Sequence, residues 1–266
     1  MTTAIHEHDW AVTGLWVEGQ MEVPCREPKC ASALVGTQQG WVIRSYGYEM
    51  QVNGIPLEIE DDPGGSVAKV IVKEIKRNPI LTTITLNPGD VVLDIGAHVG
   101  IVSVFLAKRA PQARIIAFEP ISANFARLER NLVANGVTNV AAVNKAVTAN
   151  GKSLILFGNA AKNSGGFSAF TAPGDRIRVE STTLKAIFKD YAIDRVRLLK
   201  IDAEGSEHPV LLSSGTLLER VDYLTGEFHI SQALSEQGYT LERLVKFYSR
   251  YFEPSHIHVS PCRIGD

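Results

Sequence analysis

From residue 90 onward the chain alternates two kinds of apolar pattern. Short apolar runs at 91–95, 114–118, 140–145, 196–201 and 222–228 read as strands of a buried, parallel type. Between them, apolar residues recur every three or four positions and predict helices. The helix over 100–109 turns Val102, Phe105 and Leu106 inward. That over 122–135 turns Phe125, Leu128, Leu132 and Val133 inward and closes at Asn135-Gly136. Further helices are expected at 183–191, capped by Ser181 or Thr182, and at 208–219, 231–237 and 241–249, before a last extended stretch at 255–260. A hairpin, 154–157 with 177–179, brackets the glycine-rich NSGGFSAF at 163–170, and the segment 159–170 suits a mobile lid and a plain hairpin loop equally. Regular β-α alternation of this kind gives an α/β, doubly wound sheet with helices on both faces.

The first sixty residues break the pattern. Positions 41–50 alternate like a strand, Asn53-Gly54 predicts a tight hairpin turn, and DDPGG at 61–65 interrupts the chain. After it, Val67, Val70, Ile71 and Ile75 recur at helical spacing up to Asn78-Pro79. Two parts follow: a β-rich extension, 1–62, and a main domain, 63–266.

Bulk composition narrows the partners more than the fold. Of the 266 residues 45% are hydrophobic and 21% charged, and the net charge is −2, so neither nucleic acid nor an acidic membrane surface is an expected partner. No apolar run reaches the roughly 20 residues of a membrane span, and MTTAIHEHDW has no signal-peptide pattern. A cytoplasmic location is expected. The odd set Cys25, Cys30 and Cys262 suits free thiols in a reducing compartment better than a zinc site, since no second ligand pair follows Cys25 and Cys30.

Two constellations carry chemistry. In VVLDIGAHVG, 91–100, a strand runs into Gly96-Ala97-His98 and Gly100 opens a helix; Glu119 follows at the end of the next strand. A strand, glycine turn and helix let a nucleotide approach backbone closely, and the strand-end carboxylate suits a ribose hydroxyl pair. A phosphate loop would need glycine-lysine-serine, and a dinucleotide fingerprint would space its glycines differently. Asp94 is awkward beside a pyrophosphate and natural beside a cation, which favours S-adenosylmethionine. Asp94, Gly96, Ala97, His98, Gly100, Glu119 and Pro120 are the expected cofactor residues, with Asn144 and Ala146 flanking the adenine and Asp202 joining them from a later strand. The second constellation is LLKIDAEGSEHPVL at 198–211, followed by Gly226-Glu-Phe-His229 on the neighbouring strand. Together they bring Asp202, Glu204, Glu227 and His229 to the edge where open α/β sheets bind ligands. Lys200 reads as an ion-pair partner, and Glu204 and Glu207 suit caps of the helix after Gly205 as well as site residues.

On these motifs, and on FEPISANFARLERN at 118–131, NSGGFSAF and STTL at 181–184, the chain resembles the FkbM-type S-adenosylmethionine-dependent methyltransferases, over about 85–260. The resemblance implies a class I methyltransferase (Rossmann-like) fold with a mostly parallel, seven-stranded sheet. It also implies O-methylation of a small-molecule hydroxyl on a sugar, a polyketide or another natural product. His98 stands where Asn is frequent in such motifs, and the extension, 1–62, lies outside the resemblance; such extensions commonly shape the acceptor site or make a homo-oligomer contact. For the chemistry, His229 is the expected general base, with Asp202 or Glu204 as the alternative. A divalent metal on Asp202, Glu204 and Glu227 is a further option, not the favoured one. The rival functions are an N-methyltransferase, a non-catalytic cofactor-binding partner and a nicotinamide-dependent oxidoreductase.

Overall fold

The computed structural model describes residues 15–17, 20–24, 32–37, 40–45, 47–61, 66–158 and 175–263. The cysteines expected as free thiols or zinc ligands at 25 and 30, and the NSGGFSAF segment, lie outside the described residues. In the N-terminal part four strands form an antiparallel meander: β1 (Leu15–Val17), β2 (Gln20–Pro24), β3 (Ser32–Thr37) and β4 (Gly40–Ser45). The single strand expected over 41–50 is therefore two, because β5 (Gly47–Val52) leaves the meander and pairs with β6 (Ile55–Glu60). Their turn is Asn53-Gly54, both with positive φ (50° and 79°), as a tight hairpin requires.

Although β5 and β6 fall within the predicted extension, β6 packs on the main domain. Val52, Leu57 and Ile59 are buried in the same core as the next helices. The side chain of Asn131 bridges them: its Oδ1 accepts from the Glu60 N–H (2.7 Å), and its Nδ2 donates to the Glu60 and Val99 carbonyls (3.0 and 2.7 Å). Arg130 completes the joint with a two-pronged ion pair to Glu60, at 2.6 Å on each oxygen.

Helix α1 (Ser66–Arg77) is apolar on two faces. Ala68, Val72 and Ile75 are buried in the core. Val67 and Val70 line a cavity, with Val70 52% exposed, and Ile71 both borders that cavity and packs against the core. Asn78, expected to end the helix, also begins α2 (Pro79–Thr83), its Oδ1 accepting from the Leu81 N–H.

The main sheet follows from β7 (Val91–Ile95), α3 (Ile101–Arg109), β8 (Arg114–Phe118), α4 (Ser122–Ala134) and β9 (Val140–Val143). After β9 come β10 (Ala146–Val147), β11 (Leu154–Gly158), β12 (Asp175–Val179), β13 (Ser181–Thr182) and α5 (Leu184–Asp190). Then β14 (Val196–Ile201), α6 (Glu207–Ser214), a 3₁₀ turn (Gly215–Arg220), β15 (Val221–Ile230), α7 (Gln232–Glu236), α8 (Leu241–Tyr248) and β16 (Ile257–Arg263) complete it. The order is β16-β15-β14-β7-β8-β9, every pair parallel. Six strands stand where seven were expected: the hairpin β11–β12 pairs only with itself, and β10 pairs with β13. The sheet reverses its strand order between β7 and β14, and such a switch point opens a crevice at the carboxyl ends of the strands.

Successive side chains of a strand face opposite sides, so the sheet feeds two cores. Val92, Ile115 and Leu198 join α1 to α4, while Leu93, Ile116 and Leu199 join α5, α6 and α8. Two local expectations change. Thr183, not Ser181 or Thr182, caps α5, its Oγ1 accepting from the Ala186 N–H (3.0 Å). Val133 is 53% exposed, because α4 turns Asn124, Arg127 and Asn131 inward instead, each with polar neighbours to meet. Among the described residues no helix is long and apolar enough to cross a membrane.

Candidate functional site

The glycine corner after β7 is set by backbone approach. Gly96 has φ 75°, and a Cβ there would sit 1.7 Å from the Asp202 carbonyl oxygen, so only glycine fits between β7 and β14. The Gly96 and Ala97 N–H groups both donate to the Phe118 carbonyl (2.9 Å each), tying the corner to the end of β8. Gly100, with φ 87°, serves packing: a Cβ would meet the Leu128 side chain of α4 at 2.2 Å.

Glu119 closes the corner from β8. It is 4% exposed; Oε2 accepts from the His98 N–H and Oε1 from the Ile121 N–H, both at 2.9 Å. Burial pushes its pKa up to about 7, although the Ile121, His98 and Asn124 hydrogen bonds pull it down. Asn144 does not face the cavity: its Nδ2 donates to the Glu119 and Pro120 carbonyls (2.8 and 3.1 Å) and bolts the loop in place. Ala146, also expected beside the adenine, does line it, as does Pro120.

Asp94 is placed differently from its expected use as a direct partner for a cationic cofactor. It is fully buried, Ser103 Oγ donates to its Oδ2 (2.7 Å), and Lys200 Nζ lies 3.2 Å from its Oδ1. Lys200 Nζ also donates to the Gly96 carbonyl (2.6 Å), and its pKa stays raised: burial opposes the charge, but Asp94 and Asp202 more than compensate. Lys200 is thus the ion-pair partner the sequence suggests, and Asp94 acts on the glycine corner through it.

Two cavities open at this edge. The larger, about 430 Å³, runs from Glu119 and Ala146 to Asp202 and Glu204, with α1 as one wall. The smaller, about 240 Å³, lies beyond Ala97 toward β15 and β16. Ile71, Glu74, Gly96, His98, Asp202 and Glu227 border both and mark their junction. Gly100 lines neither. Two of the wall residues, His98 (φ 51°) and Glu204 (φ 49°), hold the left-handed backbone region without being glycine, a strain that the fold sustains at its binding edge.

Behind the junction stands a buried charge relay. Glu207 is fully buried, and its Oε1 accepts from the Ala203 N–H (2.7 Å) and the Gly205 N–H (3.2 Å) while facing His229 Nδ1 at 3.0 Å. On the other side, His229 Nε2 is 3.4 Å from Glu204 Oε2. Burial alone would lower the His229 pKa; the Glu207 hydrogen bond and the Glu207, Glu204 and Asp202 charges lift it to about 9. The imidazole is therefore cationic at neutral pH, 2% exposed, and lines neither cavity, which does not suit the expected general base. The carboxylates in front of it are raised as well, but by burial. Burial raises Glu204 to about 8 and Asp202 to about 6, and Glu74 on α1, which the sequence did not single out, to about 6. No motif marks Glu74; only its place on the cavity face of α1 reveals it.

The metal option centred on Asp202, Glu204 and Glu227 does not form as a group. The described clusters with ligand atoms within 4.8 Å are Asp202, Glu207 and His229, and Glu227, His229 and Cys262. Both depend on His229, whose two ring nitrogens already face Glu207 and Glu204.

Comparison with known proteins bears on residues 94–253, which match the family model of the methyltransferase FkbM domain. Among curated proteins, the methyltransferase sdnD of Sordaria araneosa is 26% identical over 54% of this chain and 68% of its own length. The 31-O-demethyl-FK506 methyltransferase FkbM of Streptomyces tacrolimicus is 28% identical over 48% of this chain and 60% of its own. A shorter match, 53% identical over 49 residues, covers 18% of this chain and 2% of the AMB antimetabolite synthetase AmbE of Pseudomonas aeruginosa. The chain thus spans between 2% and 68% of these relatives. A solved structure of methyltransferase FkbM from Methylobacillus flagellatus superposes loosely, with TM-score 0.35 and 16% identity over 52% of this chain and 32% of that one.

Proposed function

The chain belongs to the methyltransferase FkbM domain family, and on that premise we propose that it transfers a methyl group from S-adenosylmethionine to a hydroxyl of a small molecule. The observation that carries this reading is the pairing of buried Glu119 with a glycine corner in which a Cβ on Gly96 would meet backbone at 1.7 Å. The cavity of about 430 Å³ beside that corner falls in the range of small-molecule sites, and its acidic lining suits the cofactor's positive charge. When bound, S-adenosylmethionine supplies an electrophilic methyl group on a sulfonium. Glu119 would hold the ribose hydroxyls with the lone pairs left by its two N–H partners, and Pro120, Ala146 and Leu156 would flank the base. Asp202 and Glu204, which line the same cavity, would meet the charged end.

The carboxylates also favour oxygen as the acceptor atom. Negative neighbours keep an amine protonated, and an ammonium has no lone pair to donate. A hydroxyl needs a base instead, and Asp202, raised to about 6, is ionised at neutral pH and borders both cavities. In this reading Asp202 takes the hydroxyl proton, and His229 with Glu207 fixes Glu204. The 31-O-demethyl-FK506 methyltransferase among the relatives supports O-methylation, and its name supports a natural-product acceptor. A small-molecule acceptor in the cytoplasm, with no nucleic acid or membrane partner, completes the proposal. Calorimetry with S-adenosylmethionine, followed by labelled-methyl transfer to a panel of alcohols and matched amines, tests it. Transfer to alcohols is expected; transfer confined to amines would move the reading to N-methylation, and no cofactor binding would overturn it.

A further inference from the structure

The smaller cavity has a character of its own. Beyond the shared junction, Ile75, Leu81, Ile101 and Val102, all buried side chains, form its apolar wall, and Asn78, Thr225, His258 and Ser260 are among the polar residues that line the rest. The polar groups near it are engaged with one another. Asn78 Nδ2 donates to Thr225 Oγ1 (2.7 Å), Thr225 Oγ1 donates to the His258 carbonyl (2.9 Å), and Asn78 Oδ1 accepts from the Leu81 N–H (3.1 Å). A guest therefore meets apolar wall and few spare donors.

The lining carries three acidic and two basic side chains. Glu74 from α1, Asp202 after β14 and Glu227 from β15 ring the junction; Arg77 lies at the exposed end of α1, and Lys200 is held by Asp94 and the Gly96 carbonyl. His98 and His258 are the remaining titratable groups that face it. A carboxylate or phosphate passing the junction would run against three acidic side chains drawn from three separate elements.

We infer that the smaller cavity receives the part of the acceptor next to the reacting hydroxyl, and that this part is apolar and uncharged. The inference rests on reading the larger cavity as the S-adenosylmethionine site. With donor and acceptor in separate cavities, the reacting atoms come together at the junction, where Asp202 lies, and in-line displacement needs its two partners on opposite sides of the methyl carbon. Small-molecule sites commonly span roughly 300–1,000 Å³; at about 240 Å³ the cavity takes a ring or a short branched chain. The rest of a larger acceptor stays outside it.

The test uses benzyl alcohol and benzoate as probes, titrated by NMR into the full chain saturated with S-adenosylhomocysteine. Benzyl alcohol is expected to shift the Leu81 and Val102 methyl resonances and to bind at least tenfold more tightly than benzoate. Val102→Phe and, at an exposed wall position, Ser260→Trp should each weaken benzyl alcohol at least tenfold and leave S-adenosylhomocysteine affinity within twofold. Glu74→Gln should strengthen benzoate about threefold. No benzyl alcohol binding, equal binding of benzoate, or benzyl alcohol binding untouched by both wall variants overturns the inference while the cofactor reading stands. Failure of S-adenosylhomocysteine to bind the unmodified chain overturns the cofactor reading and this inference's premise with it; the methyl shifts would then report only a separate apolar site.

Discussion

Glu119 and Glu204 are both carboxylates at the carboxyl edge of one sheet, yet they are held in opposite ways. Glu119 is gripped by backbone, through the His98 and Ile121 N–H groups. Glu204 is steadied by a side chain from another strand, His229, which is itself fixed by Glu207. Backbone donors are fixed by the fold and carry no charge to titrate. A side-chain partner brings its own pKa, so the β14–β15 corner responds to pH and substitution as a coupled unit. The first arrangement suits a carboxylate that holds a ligand, and the second a place where charge is managed during a reaction.

Substitutions should separate the two corners. The largest expected effect is on turnover: Asp202→Asn should lower kcat by about 10²–10⁴-fold, the usual worth of a general base. S-adenosylhomocysteine affinity should change by only about threefold, because a neutral sulfur gains less from a nearby carboxylate than a sulfonium does. Equal losses in both would return Asp202 to a binding role. At the other corner, Glu119→Ala should weaken S-adenosylmethionine by about 10–100-fold, as expected for lost charged hydrogen bonds, with kcat at saturation little altered. Calorimetry alongside saturation kinetics reads both substitutions.

A smaller effect probes the relay. Glu207→Gln removes the main partner that raises His229 to about 9, so its imidazole should titrate nearer the ordinary value of about 6.5 by NMR. The part-buried Ala203 N–H and the buried Gly205 N–H also lose their charged acceptor, which should cost about 1–3 kcal/mol of stability. An unmoved His229 titration would locate the source of its charge elsewhere.

The smallest expected effects are in pH dependence. Asp202 (about 6) and Glu204 (about 8) bind protons in the free protein, and a sulfonium favours their ionised forms. S-adenosylmethionine affinity should therefore rise relative to S-adenosylhomocysteine as pH climbs from 5 to 8, by severalfold, measured by calorimetry. Stability should move the other way. Glu119, raised from 4.5 to about 7, binds more protons folded than unfolded between those values, so its contribution is full below 4.5 and lost as pH rises through 7. Tm should fall by a few °C over that range, with a shallower slope in Glu119→Gln.

Much of the first corner was legible in the chain because its determinants are local. Asp94, Gly96 and Glu119 lie at the ends of two consecutive strands, and the strand-turn-helix pattern places them without knowledge of the rest. The second corner was legible only as a gathering of acids. Nothing in LLKIDAEGSEHPVL distinguishes Glu207 as a fully buried acceptor for His229 from a solvent-exposed cap. The pairing depends on β15 lying beside β14, with Ile201 in register with Gly226. Helix α1 was legible as a helix but not in its packing: a single sequence pattern cannot show that one apolar face meets the core and a second meets a cavity.

The sequence alone settled the alternation of strands and helices, the glycine corner and the kinds of charged side chain at the ligand edge, since these follow from propensity, periodicity and backbone sterics over short stretches. Tertiary structure decided which charges neutralise which. It paired Lys200 with Asp94, set His229 between two glutamates, left six strands in the main sheet and split the crevice in two. Desolvation and Coulomb energy depend on distances between residues far apart in the chain, and only packing brings those distances into being.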